Sequence, residues 1–340
     1  MASSSTQPGA ASKKSILEPV MILEGHEKST RKPPERTYHN ICSISYFSDG
    51  EQMVSGSEDQ TVRRWDLQAG KEIEGVREVC EEGVHAVGVS RDGRWIVTAG
   101  GDDNECGELK IWEVRTGITR TFEGHSQSIT CIDISADSTL LASGVRCGRC
   151  GTIRVWNLKT GKLLFETPTR WVGVVRFSQD SKKLAVISDV ARCLEVWDVE
   201  THRLDTRLLW KFDWGMTTRA PVIWTAKDHT ILAAFNFKDD DDIDEPKTIY
   251  EFDASTLQTR FRDQTIKLWA FESRQLLASF DVHAPDHLIF SPNSHQLAYT
   301  TRFDTKIYIC DTPPHILATI QSAQEAQPNI NAATNPRLPS

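Results

Sequence analysis

An indole returns along this chain at nearly constant intervals. VRRWD (62–66), LKIWE (109–113), IRVWN (153–157), CLEVWD (193–198) and TIKLWA (265–270) each alternate apolar and polar residues into a tryptophan, usually followed by Asp, Glu or Asn. Weaker copies are IYEFD (249–253) and IYICD (307–311). The steps are 47 residues from Trp65 to Trp112, 44 to Trp156, 41 to Trp197, 55 to Phe252, and 41 from Trp269 to Cys310. A unit of this size cannot bury the apolar face of its own strands. The units must therefore stack side by side and share their cores.

Each unit runs in one order. Glu24-Gly25-His26 opens the first, ICSISYF (41–47) alternates as a half-buried strand, and SDGEQ (48–52) turns. MVSGS (53–57) is a second strand, EDQT (58–61) turns into VRRWDL (62–67), and QAGK (68–71) turns again. The third unit repeats this with EGH (123–125), ITCIDIS (129–135), LLASG (140–144), IRVWNL (153–158) and KTGK (159–162). Four short strands per unit make a four-stranded antiparallel blade.

The Gly-His and Trp-Asp signatures at this separation resemble the WD-repeat β-propeller family over roughly residues 18–320. The resemblance implies an all-β fold with a buried network in each complete blade. It links the Gly-His histidine, a second-strand Ser or Thr, an Asp in the next turn and the Trp indole. Here these are His26, Ser55, Asp59 and Trp65. Such a chain of donors and acceptors satisfies polar groups that the stacked blades would otherwise strand away from water. The third unit keeps His125, Ser143 and Trp156 but has Cys150 at the Asp position. The second and fourth units lack the Gly-His, the fifth has only Phe252-Asp253, and the last has Asp304 but Cys310 for Trp. Those units are expected to rest more on apolar packing.

One step breaks the period. Phe252 to Trp269 is 17 residues, so STLQTRF, an outer strand of the fifth blade, runs almost directly into RDQTIKLW, the turn and third strand of a sixth. The two inner strands between them are missing. Two architectures fit. One is nominally seven four-stranded blades with the sixth lacking its inner strands. The other is a six-bladed ring with a spare hairpin. Either leaves strand edges open. EPVMILEGH (18–26) is an orphan strand that the resemblance places on the last blade as the ring's fastening, and HILATI (315–320) competes for the same slot. Residues 1–17 and 321–340, polar and without periodicity, read as disordered tails.

The net charge of −8 argues against a general nucleic-acid binder, and no stretch is long and apolar enough to span a membrane. The start MASSSTQPGAASKK has no hydrophobic run, which points to cytoplasmic or nuclear residence. The eight cysteines are then expected to be reduced, with Cys42 and Cys131 as small buried hydrophobes.

Ser55, His26 and Asp59 together invite a hydrolase triad, but no nucleophile elbow accompanies them, and the resemblance makes them a buried brace. CGRC (147–150) is half a zinc site, and Cys106 and Cys193 fall at equivalent turns. No second close pair completes it, so the expectation is no metal and no cofactor. KDDDDIDEP (238–246) lacks the spacing of a calcium loop and reads as a solvated insertion. Trp224 sits in the alternating run VIWTA and reads as core, whereas Trp171, just before VGVVRF, reads equally as core or as a docking residue. By blade alignment with the related propellers, Glu58 and Phe303 beside turns, and His85, Thr130, Arg219 and Asp286 at strand entries, share one face with Trp171.

The expected function is therefore a non-catalytic scaffold presenting that face to proteins or peptides, with no membrane or nucleic-acid partner and no small-molecule ligand. The competing expectations are a propeller hydrolase with a channel metal, whose carboxylates are scarce here beyond Asp133, and a degenerate repeat product. The fold by itself names no process.

Overall fold

The computed structural model describes residues 18–27, 41–73, 77–78, 83–101, 107–145, 151–168, 172–188, 193–209, 222–225, 228, 230–235, 248–255, 259–263, 268–270, 275–278, 285–301, 305–312, 314 and 317–318. After a first strand, β1 (Met21–Glu24), the chain lays down antiparallel sheets one after another. The first contains β2 (Ile41–Tyr46), β3 (Gln52–Ser57), β4 (Thr61–Asp66) and an outer strand in two pieces, β5 (Lys71–Glu72) and β6 (Arg77–Glu78), both paired with β4. The second is β7 (Val84–Val89), β8 (Trp95–Gly100), β9 (Glu108–Glu113) and β10 (Thr119–Thr121). The third is β11 (Ile129–Ile134), β12 (Leu140–Val145), β13 (Thr152–Asn157) and β14 (Leu163–Pro168). The fourth is β15 (Val172–Phe177), β16 (Lys183–Ser188), β17 (Cys193–Asp198) and β18 (Arg203–Leu209). The fifth is β19 (Val222–Thr225), β20 (Thr230–Phe235), β21 (Thr248–Asp253) and β22 (Thr259–Asp263). Then β23 (Leu268–Ala270) and β24 (Gln275–Ala278) form a two-stranded sheet of their own. The last sheet is β25 (Pro285–Phe290), β26 (Gln296–Thr301) and β27 (Lys306–Asp311), with β1 as its fourth strand.

Side-chain character follows from position in the blade. Second strands are covered on both faces by neighbouring blades, and β3, β8, β12 and β16 are buried almost throughout. Their sequences accordingly read as runs of Val, Ile, Leu, Ala and Ser rather than as alternations. Outer strands face water, and β18 alternates exposed and half-buried residues along its length. The inner strands sit side by side in the order β25, β2, β7, β11, β15, β19.

Two sets of hydrogen bonds tie one blade to the next. Between inner strands, Ser43 Oγ donates to Val87 O, the Val89 N–H donates to Ser45 Oγ, and Thr130 Oγ1 donates to Val172 O. At the hairpins joining first to second strands, a residue with positive φ in one blade receives N–H groups from the blade before. Ser138 accepts from Asp92, Ser181 accepts from Asp137, and the Asp228 carboxylate accepts from Gln179 and Asp180.

β1 settles the competition for the fastening slot. It pairs antiparallel with β27, from Met21↔Ile309 to Glu24↔Lys306, while Leu317 and Ala318 in the rival segment are helical. Leu23 is buried in one cluster with Trp65 and Ile41 of the first sheet and Ala298, Ile307 and Ile309 of the last. A strand from the start of the chain thus completes the sheet at its end. Leu23→Ala is expected to lower the unfolding free energy by about 2–4 kcal/mol through the lost burial and the cavity left behind. The exposed neighbour change Ile22→Ala should cost no more than about 0.5 kcal/mol. Denaturant unfolding of the two variants tests the closure.

Candidate partner-binding face and the braces behind it

The first blade assembles its polar residues into a directed relay. The Trp65 indole N–H donates to Ser55 Oγ at 2.8 Å, and Ser55 Oγ lies 2.7 Å from His26 Nε2. His26 Nδ1 stands 2.8 Å from Asp59 Oδ2. Asp59 accepts in addition from the Glu27 and Thr61 N–H groups and the Thr61 hydroxyl. An acceptor-only carboxylate at one end and a donor-only indole at the other fix the proton order in between: Nδ1 carries the hydrogen and Nε2 accepts from the serine. Burial by itself would raise the Asp59 carboxyl. The hydrogen bonds from His26, from Thr61 and from the Glu27 N–H outweigh it and bring the group down to about 2. Ser55 is 0% exposed and its oxygen is engaged by the indole, so this trio offers no nucleophile to a substrate.

The third blade carries the same brace without the carboxylate. Trp156 Nε1 donates to Ser143 Oγ at 2.8 Å, and His125 Nε2 lies 2.7 Å from that oxygen. Thr152 Oγ1, at 3.5 Å, faces His125 Nδ1. Burial, helped by the Arg154 charge, pushes the His125 imidazole down to about 3. The preceding Gly124 has φ 131°, a conformation that side-chain-bearing residues rarely adopt, and the Arg154 guanidinium lies over it.

The fourth blade departs from the expectation of mainly apolar packing. Glu195, two residues before Trp197, is 3% exposed and takes the place of histidine and serine together. Its carboxylate accepts the Trp197 indole N–H at 2.8 Å and the Arg207 Nε–H at 2.7 Å. In the third blade the equivalent cross-strand pair is Arg154 with Glu166, at 2.9 Å. The two blades carry the same ion pair with its signs exchanged. Only the reversed polarity gives the indole an acceptor on its own strand. The glutamate in CLEVWD was the available signal, but nothing in the sequence says that Arg207 stands opposite it.

Of the four cysteines weighed as a zinc site, Cys106, Cys147 and Cys150 lie outside the described residues. Cys193 is buried on β17, and burial together with the Glu195 charge pushes its thiol up to about 12. No group of three potential metal ligands occurs among the described residues. The 238–246 acidic run also lies outside them, and no described helix is long and apolar enough to cross a membrane.

The braces hold in place a set of strand entries. Inner strands share a register shift near their start: between Val84 and Ala86 in β7, Ile129 and Cys131 in β11, and Pro285 and Leu288 in β25. The residues set out of the ladder are His85 and Thr130, and in β25 the pair Asp286 and His287. A bulge re-aims a side chain at the rim of a sheet, which no periodicity in the sequence reveals. His85 Nδ1 is 2.9 Å from Ser128 Oγ of the next blade, and Thr130 reaches Val172 of the blade after that. A Cβ on Gly83 would stand 3.3 Å from both Glu58 Cα and His85 Nε2, so the turn bearing Glu58 lies against this entry. Glu58, His85 and Thr130 thus form one arc across three blades. Trp171, Arg219 and Phe303, expected on the same face, lie outside the described residues, and Asp286 is placed by its backbone alone. Trp224 packs in the core, its indole N–H donating to Arg176 O. Asp133 pairs with Arg176 of the adjoining inner strand at 2.8 Å and accepts the Phe177 N–H. Burial raises its carboxyl, and Arg176 pulls the other way.

Two expectations follow. Arg207→Ala leaves Glu195 buried and unpaired and should cost about 3 kcal/mol, whereas in a Glu195→Gln background the same change should cost under about 1 kcal/mol, read as a double-mutant cycle in urea. His125 is depressed in the folded chain, so the stability it confers is complete above the unfolded value near 6.5 and is lost as pH falls toward about 3. Between pH 7 and 5 the loss should be on the order of 2 kcal/mol, and His125→Gln should remove that part of the pH dependence of unfolding.

Residues 17–66 and 117–157 match the family described as WD domain, G-beta repeat. A guanine nucleotide-binding protein subunit beta-like protein of Encephalitozoon cuniculi (strain GB-M1) is 23% identical over 198 residues, covering 55% of this chain and 54% of that protein. Transducin-like enhancer protein 2 of Mus musculus is 30% identical over 126 residues, and protein groucho of Drosophila melanogaster 29% over 130, each covering 36% of this chain and 16% of the relative. The match therefore spans about half the length of the first relative and about a sixth of the other two. Repeated antiparallel blades, indoles braced at the Trp-Asp position and these matches agree: the chain is similar to WD-repeat proteins, with the matched repeats at residues 17–66 and 117–157.

Proposed function

We propose that the protein is a non-catalytic scaffold that holds protein or peptide partners on the face carrying Glu58, His85 and Thr130. The observation that carries this reading is the repeated inner-strand bulge, which sets His85 and Thr130 out of their ladders on adjacent blades, beside the turn of Glu58. Loop-borne and rim-borne groups on a rigid frame are what a recognition surface needs, because little ordering entropy is lost on binding. Side-chain hydrogen bonds of Ser43, Ser45 and Thr130 tie the inner strands and stiffen the frame. Trp171, Arg219, Asp286 and Phe303 extend the same proposed face, Trp171 adjoining the Val172 carbonyl that Thr130 contacts. Nothing in the reading calls for a cofactor.

Affinity capture with the full chain tests it, alongside a Glu58→Lys/His85→Ala double variant and a Trp171→Ala variant, with bound proteins identified by mass spectrometry. Partners retained by the parent chain and depleted at least about tenfold in the variants, at unchanged melting temperature, are the expected result, since a truncated hot-spot residue costs roughly 1–2 kcal/mol or more. Equal recovery in all three would remove this face from the account.

A further inference from the structure

We propose that the two-stranded sheet β23–β24 accepts an extended strand from a different polypeptide, antiparallel to β23, with a large aliphatic residue opposite Trp269. This site is separate from the face argued above and does not rest on it.

Three observations lead there. First, β23 pairs with β24 on one edge, and among the described residues no strand pairs its other edge. In every other sheet the strand at this position has a second strand on that side. An open edge is a row of unpaired N–H and C=O groups, ready to bond an incoming backbone.

Second, the remaining sheets state what the incoming strand must look like. The residue opposite the Trp position is Met53, Ile96, Leu141, Leu184, Ile231 or Leu297 in the six cases. The next residue is Val54, Val97, Ala142, Ala185, Leu232 or Ala298, opposite the residue before the Trp position. The residue on the other side is polar in four of the six sheets: Gln52, Lys183, Thr230 and Gln296. The register of the whole molecule thus specifies a donor with a large aliphatic followed by a small or branched one, set opposite Trp269 and Leu268.

Third, Ile223 on the inner strand β19 is 52% exposed, while Val222 and Trp224 on either side are buried in the fourth blade's core. Its register equivalent on β7 is Gly88, and a Cβ on Gly88 would lie 3.5 Å from Ile132 and Ile134 of the following blade. Ile223 therefore exposes an aliphatic side chain on the face that the following blade covers at the equivalent position of β7.

A second copy of this chain is a poor donor. It has the same deficiency, and β3, β8, β12, β16, β20 and β26 are each already paired on both edges. The donor is a distinct chain with a free segment of the stated pattern.

The test uses the full chain and a labelled synthetic peptide copying TLLASGV, residues 139–145 of the third unit, flanked by lysines. Fluorescence anisotropy should show saturable binding, slowed amide exchange should map to residues 268–270, and replacing the second leucine of the peptide, the copy of Leu141, by aspartate should abolish binding. Peptides N-methylated on alternate residues should divide: one series loses at least about tenfold in affinity and the other retains it, because only one edge of an added strand bonds to the host. Failure of the unmethylated peptide to bind a folded chain would overturn the proposal. So would equal behaviour of the two methylated series, protection confined to other strands, or peptide-sensitive self-association revealing a second copy in the slot. The Glu58→Lys/His85→Ala variant should bind the peptide like the parent, which separates this outcome from the fate of the scaffold reading.

Discussion

The structure depends on giving a buried indole N–H an acceptor. The first, third and fourth blades each contribute a third strand whose tryptophan is pressed between neighbouring sheets, and an indole there cannot turn to water. Serine backed by histidine meets the demand in the first and third blades, and glutamate backed by arginine meets it in the fourth. A buried polar group left unmatched costs more than a matched one contributes. That asymmetry explains why the replacement is wholesale. Where His and Ser are gone, an ion pair has taken the entire role rather than part of it.

The braces also place the rim. With the third strand held to the second, the second strands lie flat between blades and bury nearly every residue. The inner strands then align closely enough for single side chains to reach from one blade to the next. Their bulges put His85 and Thr130 outside the ladder at matching heights. The proposed recognition surface is thus a by-product of packing several residues away. Electrostatics follows the same geometry. Asp59 is held low by His26 and Thr61, and His125, with Arg154 as its charged neighbour, is held low by burial.

Much of the fold was legible because a repeat multiplies a weak signal. One Trp-Asp is ambiguous, but several at steps of 41 to 47 residues are not, and the strand order within each unit follows from alternation and turns. The broken step was legible for the same reason, and β23–β24 is the two-stranded remnant that its length allows. The site was less legible. Glu58, His85 and Thr130 were placed on one face by aligning units, yet nothing in their neighbours shows the register shift that sets the latter two out of their ladders. The Arg207 partner of Glu195 and the Arg176 partner of Asp133 were missed because each pairing joins different strands through the ladder or across blades.

By itself the sequence determined the period, the strand pattern and the place where a unit is short, since all of these are local or repeat along the chain, and the family resemblance implied the residues of the first blade's brace. The tertiary structure decided which end fastens the last sheet. EPVMILEGH and HILATI are both apolar enough, but only β1 meets β27 in register and buries Leu23 between the first and last sheets. It also decided which charges pair and which inner-strand residues stand out of their ladders. Those outcomes depend on what stands across a ladder or on the adjoining blade, and a linear pattern carries no information about partners that folding alone brings together.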